Sequence, residues 1–341
     1  MPLPESTLFR LPPDRSWQSL LRPGASTSYF RLSPRPSFDE ECSEFRTGTA
    51  WWLCEFARLI YRMEADEIGR RADGLRRDEV LRSVGWREDL FINRGGIQCA
   101  LLRRDTERPR LWVLVFRGTS GLGNCILDLN ARPAAWVRGG RVHRGFMKAL
   151  GRVWPALSAA LSERRPERIY FCGHSLGGAV ALLAASLRMP AAVYSYGAPL
   201  TGDREFAQTL GMRRVFDVIN GKDVVPVLPP EISGYGYVPA GARIDLSADE
   251  GLVRQGLGAS AAATPGLPHP ASPAGSRRRW FAPPDSLSDH APINYRIGLE
   301  RILLSERSRS PGVSGTEKTD DGSAPLTPGG CRPPSPKPTG P

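Results

Sequence analysis

The chain has 341 residues, 40% hydrophobic and 24% charged, with 46 Lys and Arg against 35 Asp and Glu and a formal charge of +11. That apolar fraction supports a real core in one large domain or two ordinary ones and excludes a wholly disordered or collagen-like chain. The basic excess is almost entirely arginine, 42 Arg to 4 Lys, and no helix-turn-helix, RNP-like or zinc-finger pattern accompanies it, so nucleic acid is not an expected partner. A solvated basic surface or attraction to anionic lipid fits the charge better.

The longest clearly apolar stretch, around Ala179 to Leu187, is far shorter than the roughly 20 residues a membrane-spanning helix needs. Pro2, Pro4, Pro12, Pro13 and interspersed charges break the first twenty residues, which lack the apolar core of a secretory signal. The expected location is therefore cytoplasmic or peripheral to a membrane. Six cysteines without a CxxC pair read as free thiols, and four scattered histidines give no metal-ligand cluster. No cofactor or metal is expected.

Residues 1–44 are rich in proline without sustained periodicity and are expected to be a mobile N-terminal segment. Trp52, Phe56, Leu59, Ile60 and Met63 then fall on one face of a helix, and Arg110 to Phe116 reads as a buried strand. A second amphipathic helix carries Phe146, Leu150, Val153, Leu157 and Leu161. The strand Arg168 to Cys172 follows, then an apolar helix from about Ser175 that Pro190 stops. Strands at Ala191 to Gly197 and Arg213 to Ile219 come next, and Ile293, Ile297 and Leu303 mark a closing helix. Strands alternating with helices predict parallel crossovers and a sheet covered on both faces. One α/β domain over 45–306 accommodates them, with a Pro-, Gly- and Ala-rich insert at about 247–284 and a disordered Pro/Gly-rich tail over 307–341.

The strand ending at Cys172 runs directly into Gly173-His174-Ser175-Leu176-Gly177, with the apolar helix immediately after. In this strand–turn–helix setting, G-x-S-x-G is a nucleophile elbow: small residues permit a sharp turn that lifts Ser175 above the sheet edge. A nucleophilic serine needs a base and a group to orient it, in the chain order Ser, Asp or Glu, His. Of the later histidines, His269 lies between prolines in the insert, whereas His290 immediately precedes the closing helix and is the better base. Asp223 stands just past the end of the strand that finishes at Ile219, where functional groups of parallel sheets gather. Its rival Asp217, inside that strand, reads as packed or salt-bridged. An oxyanion hole needs two donors, which Leu176 and Thr119 are placed to supply. Arg117 reads as a clamp that holds the Thr119 loop.

Val115 to Thr119, Asn124 to Leu129, Val142 to Phe146, Gly173 to Gly178, Tyr196 to Pro199, Asp223 to Pro226 and Asp289-His290 together resemble the fungal-type class 3 lipases, in order and spacing from about Thr47 to Ile302. The resemblance implies an α/β-hydrolase fold, the triad Ser175, Asp223 and His290, oxyanion donors Thr119 and Leu176, and a lid after Thr119. It also implies structural roles for His143 and His174. The expected activity is hydrolysis of carboxylic esters of acylglycerols or related lipids through an acyl-enzyme, without a cofactor. A phospholipase A or short-chain esterase would use the same machinery, and a non-catalytic lipid-binding module is the reading from another class. Departures fall where the family often has an aromatic residue at Cys125 and a histidine at Tyr237, and in the insert. A lid is expected between Ser120 and Gly140, and Arg277-Arg278-Arg279-Trp280-Phe281 is the expected contact with anionic membrane.

Overall fold

In the computed structural model of the chain, the described residues are 12–41, 44–62, 76–108, 110–119, 132–211, 214–247, 253–255 and 282–309. Helix α1 (Trp17–Leu21) lies in an N-terminal strap, followed by α2 (Thr47–Leu59) and α3 (Arg77–Arg82). Strands β1 (Trp86–Arg94), β2 (Ile97–Arg104), β3 (Leu111–Phe116), β4 (Pro133–Ala135) and β5 (Arg141–His143) lead into α4 (Arg144–Arg164). Then come β6 (Arg168–His174), α5 (Leu176–Leu187), β7 (Ala192–Tyr196), β8 (Gly202–Asp203), α6 (Arg204–Thr209) and β9 (Val215–Ile219). The chain closes through β10 (Tyr237–Val238), β11 (Ala242–Asp245), β12 (Val253–Gln255), α7 (Asp285–Ser288) and α8 (Pro292–Arg309).

An eight-stranded sheet in the order β1-β2-β3-β6-β7-β9-β11-β12 forms the frame. From β3 to β11 neighbouring strands run parallel, and antiparallel pairs stand at both ends, which is the mostly parallel sheet of an α/β-hydrolase fold. A small antiparallel sheet, β10-β8-β5-β4, lies apart from it.

Period-2 alternation distributes the central strands between two cores. Val113, Val115, Tyr170, Cys172, Tyr194 and Tyr196 join the core under α2 and α8. Trp112, Leu114, Phe116, Phe171 and Val193 join the core under α4 and α5. Each such fully buried Val, Leu or Phe contributes about 1.5–3 kcal/mol relative to exposure. Helix α4 buries Phe146, Leu150, Val153, Leu157 and Leu161, the stripe its sequence spacing predicts, while α5 is buried on all sides from Leu176 to Ser186.

The N-terminal expectation is corrected over residues 12–41. This stretch is a packed strap with Leu20, Tyr29, Phe30 and Leu32 buried, and Phe30 lies against Trp51, Trp52 and Phe56 of α2. A buried ion pair on α2, Glu55 with Arg58, satisfies strap groups: Glu55 accepts the Phe30 N–H at 2.8 Å, and Arg58 donates to Ser26 Oγ at 3.1 Å. Single apolar side chains and scattered polar contacts fasten such a strap without any periodic pattern. At the other end, α8 continues to Arg309, three residues into the expected tail. Cys54, Cys99 and Cys172, the cysteines among the described residues for which pairing is assigned, are buried free thiols.

Candidate active site

Strand β6 delivers Ser175 at its C-terminal end, where the chain turns into α5. Ser175 has φ 57° and ψ −129°, a strained backbone for a non-glycine residue, and its N–H donates to Tyr196 O on the neighbouring strand at 2.9 Å. The flanking glycines make this turn possible. A methyl group at Gly177 would collide with Phe116 O, and one at Gly173 would strike the backbone of Gly177. The helix must therefore approach both strands at backbone distance, which explains why small residues bracket the serine.

His290 and Asp223 arrive from different elements and meet. His290 follows α7 and Asp223 follows β9; His290 Nδ1 lies 2.7 Å from Asp223 Oδ2, with both side chains buried. A carboxylate accepts, so Nδ1 carries the hydrogen and Nε2 keeps its lone pair. Nε2 is buried and has no hydrogen-bond partner. Asp223 Oδ1 accepts the Val225 N–H at 2.8 Å, which fixes the carboxylate within its own turn.

Two residues without a prior assignment complete this arrangement. Tyr295, in the first turn of α8, donates its hydroxyl to Asp223 Oδ2 at 2.5 Å. Burial and the adjacent carboxylate hold its phenol well above the ordinary value, so it remains a donor. Tyr61, just past α2, donates to His174 Nδ1 at 3.0 Å, and His174 Nε2 donates to the His290 carbonyl at 2.7 Å. The acceptor carbonyl requires the proton on Nε2 and leaves Nδ1 to accept. Burial, aided by the nearby His290, lowers the His174 pKa well below the usual range, which keeps this ring neutral. Its centroid is 4.6 Å from that of His290, so the residue preceding Ser175 touches the histidine. Gly197 packs against the whole group: a methyl there would sit 2.6 Å from Tyr295 Oη, 2.7 Å from Asp223 Oδ2 and 3.1 Å from His290 Nδ1.

The loop after β3 runs beside the serine, where a methyl on Gly118 would lie 3.3 Å from Ser175 Cβ. Thr119 is next in the chain. Arg117 acts as a clamp: its N–H donates to Gln98 O at 2.9 Å, its Nη1 to Gln98 Oε1 at 2.6 Å, and its guanidinium stands over the Tyr61 ring at 5.4 Å. Leu176 opens α5, so its N–H is one of the amides a helix start leaves without an internal partner, at the positive end of the helix dipole.

Asp217 points elsewhere, accepting from Ser195 Oγ at 2.9 Å with Arg243 at 3.7 Å. His143 caps α4 by accepting the Gly145 N–H at 3.0 Å and stacks on Phe146. His269 and the cluster Arg277 to Phe281 lie outside the described residues, as does 120–131 of the expected lid. Trp136, expected in that lid's apolar body, is anchored on α5 through a 2.8 Å bond from Nε1 to Ser186 Oγ.

Residues 113–233 match the family described as lipase (class 3). The matched region contains Thr119, Ser175, Leu176 and Asp223, and His290 lies beyond it. A lipase of Rhizomucor miehei is 32% identical over 162 residues, covering 42% of this chain and 43% of the relative. A secreted mono- and diacylglycerol lipase of Fusarium solani is 36% identical over 150 residues, covering 40% and 45%. The chain thus spans less than half the length of these relatives. The solved structure of the Rhizomucor miehei lipase propeptide complex aligns at 22% identity and a TM-score of 0.49, covering 72% of this chain and 86% of that one. Over residues 113–233 the chain is thus similar to the class 3 lipases, fungal lipases among them.

Proposed function

We propose that this protein is a serine hydrolase of lipase type that cleaves carboxylic esters of acylglycerols or related lipids through an acyl-enzyme. The observation that carries the reading is the buried His290, with Nδ1 bonded to Asp223 and an unpartnered Nε2, its ring against that of His174, which immediately precedes a serine on a strained elbow. A buried nitrogen without a partner costs about 1–3 kcal/mol, which a purely structural histidine would avoid.

Ser175 Oγ attacks the ester carbonyl as His290 Nε2 takes its proton, forming the new C–O bond and a tetrahedral oxyanion. Asp223 keeps the imidazole in the required tautomer and stabilises the imidazolium. The N–H groups of Thr119 and Leu176, with the Thr119 hydroxyl, hold the oxyanion. Collapse expels the alcohol, which receives the proton from His290, and water then hydrolyses the acyl-enzyme by the same route. Substrate preference for acylglycerols is supported by the name of the Fusarium solani relative, a mono- and diacylglycerol lipase. No described helix is long and apolar enough to cross a membrane. We also propose peripheral association with anionic lipid, supported by the charge of +11 and the sequence of the segment Arg277 to Phe281.

Treatment with a serine-directed phosphonate tests the reading. A single adduct on Ser175 is expected, with loss of hydrolysis of an emulsified acylglycerol in proportion to labelling. Absence of labelling, or labelling elsewhere without loss of activity, overturns it.

A further inference from the structure

Three consecutive backbone carbonyls around His290 each accept a hydrogen bond from a different element. His174 Nε2 donates to His290 O at 2.7 Å, Asn220 Nδ2 to Asp289 O at 3.0 Å, and Asn294 Nδ2 to Ser288 O at 2.7 Å. The first two donors belong to the strand ends that also carry Ser175 and lead to Asp223. Asn294 instead connects to the N-terminal strap. Its Nδ2 also donates to Asp14 O at 2.8 Å, and its Oδ1 accepts the Asp14 N–H at 2.6 Å. Both amide hydrogens and the oxygen are thereby engaged, in a side chain buried from solvent.

The strap is firm where it makes this contact. Asp14 accepts from Ser16 N at 2.8 Å and from Ser19 Oγ at 2.5 Å, beside the Ser16 cap of α1. Arg15 pairs with Asp285 at the start of α7, 2.5 Å away. Farther along, the Glu55–Arg58 pair ties the strap to α2. A cavity of about 290 Å³, lined by Asp14, Ser16, Arg22, Ser26, Arg58 and Pro292 among others, separates these two fastenings. The Asp14–Asn294 contact is thus a discrete latch between the strap and the turn that carries His290.

We propose that the strap is a positioning element for His290, with Asn294 as the positioning residue that transmits its placement to the Ser288–His290 backbone. The inference rests on the hydrolase reading above, in which His290 Nε2 must meet the Ser175 hydroxyl in hydrogen-bond geometry. Asn220 and His174 hold the last two carbonyls against the sheet, while the latch fixes the first. Releasing it frees α7 to shift and tilts the imidazole away from Ser175.

Two full-length variants test the latch. Asn294→Ala removes its centre. The pair Asp14→Gly with Arg15→Ala loosens the strap at the latch and leaves Ser16 to cap α1. Turnover of a soluble nitrophenyl ester is measured per site titrated with a phosphonate, with thermal melting alongside. We expect kcat per titrated site and the labelling rate to fall about 10- to 100-fold in Asn294→Ala and about 3- to 10-fold in the pair, with KM little changed. The combined variant should be no slower than Asn294→Ala within about twofold, because Asn294→Ala removes the contact and the pair only loosens the strap backbone that makes it. Wild-type kcat per titrated site, with only the melting temperature or titratable fraction reduced, overturns the proposal, as does full additivity. Should Asn294→Ala not fold, Asn294→Asp, which keeps the size and the acceptor but not the donors, replaces it under the same criteria. Failure of the unaltered chain to take the phosphonate counts against the hydrolase reading, whereas labelling of the unaltered chain with unchanged variants counts against the latch.

Discussion

Tyr295 and His290 share one acceptor, Asp223 Oδ2, which receives the phenol at 2.5 Å and the imidazole N–H at 2.7 Å. The phenol draws negative charge from the oxygen that stabilises the imidazolium. In Tyr295→Phe Oδ2 faces His290 alone and the carboxylate loses one of the bonds that fix it, so kcat should change by up to about tenfold with KM little changed. A hydrogen bond to a charged group is also lost, at about 1.5–3 kcal/mol of stability. Steady-state kinetics beside a urea titration checks both; an unchanged kcat would make Tyr295 a packing residue only.

Ser175 stores backbone strain as well as supplying the nucleophile. Ser175→Ala should lower ester hydrolysis by roughly 10⁴-fold or more, as should His290→Ala, with Asp223→Asn severe but less complete. Strain at such a residue costs about 1–3 kcal/mol, and glycine tolerates positive φ. Ser175→Gly should therefore melt above Ser175→Ala while being equally inactive. Equal melting temperatures would mean that the turn is not under strain.

Thr119 follows Gly118, where a methyl would lie 3.3 Å from Ser175 Cβ. Thr119→Val keeps the backbone N–H and the side-chain shape but deletes the hydroxyl. A fall in kcat of roughly 10- to 10³-fold with KM little changed is expected for a contact made chiefly in the transition state. Unchanged kcat would assign the hydroxyl a structural bond instead.

Local signals make part of this site legible in the sequence. The elbow lies on consecutive residues, Gly173 to Gly177, and chain order alone directs attention to Asp223 and His290, which the fold brings into contact. Tyr61, Tyr295 and Asn294 carry no such signature, because their roles arise from proximity across long stretches of chain. The strap was hidden for the same reason: its buried residues meet α2 singly. The β1–β2 hairpin was missed although Gly95-Gly96, both at positive φ, form its two-residue turn. Charged residues within Trp86–Arg94 obscure the alternation there, and a bulge between Glu88 and Leu90 breaks its period.

Arg277, Arg278, Arg279, Trp280 and Phe281 join three cations to two aromatic rings nine residues before His290. Each arginine near an anionic bilayer contributes about 1 kcal/mol of attraction, and the rings favour headgroup depth. Co-sedimentation with vesicles should rise with anionic lipid, fall with salt, and fall again when the three arginines are replaced by serine. Binding indifferent to that replacement would remove the docking role and leave the hydrolase reading intact.

Asp217 separates stability from catalysis at the neighbouring strand. Burial pushes its carboxyl up from 3.8 to about 6, against the lowering effects of Arg243 and the Ser195 hydroxyl. Because the folded pKa is the higher one, the folded chain binds more protons than the unfolded chain between these values. This group's contribution to stability is fully present below about pH 3.8 and is lost as pH rises through about 6. A shift of about two units corresponds to about 3 kcal/mol. Asp217→Asn abolishes the titration, so its stability relative to the unaltered chain should improve by up to about 3 kcal/mol from pH 4 to pH 8. Urea unfolding of both proteins at pH 4, 6 and 8 gives the difference, from which the carboxylates common to both cancel. A flat difference would mean that Arg243 already holds Asp217 at its ordinary value. Turnover should change far less than in Asp223→Asn, since Asp217 lies against Ser195 and does not bond to His290.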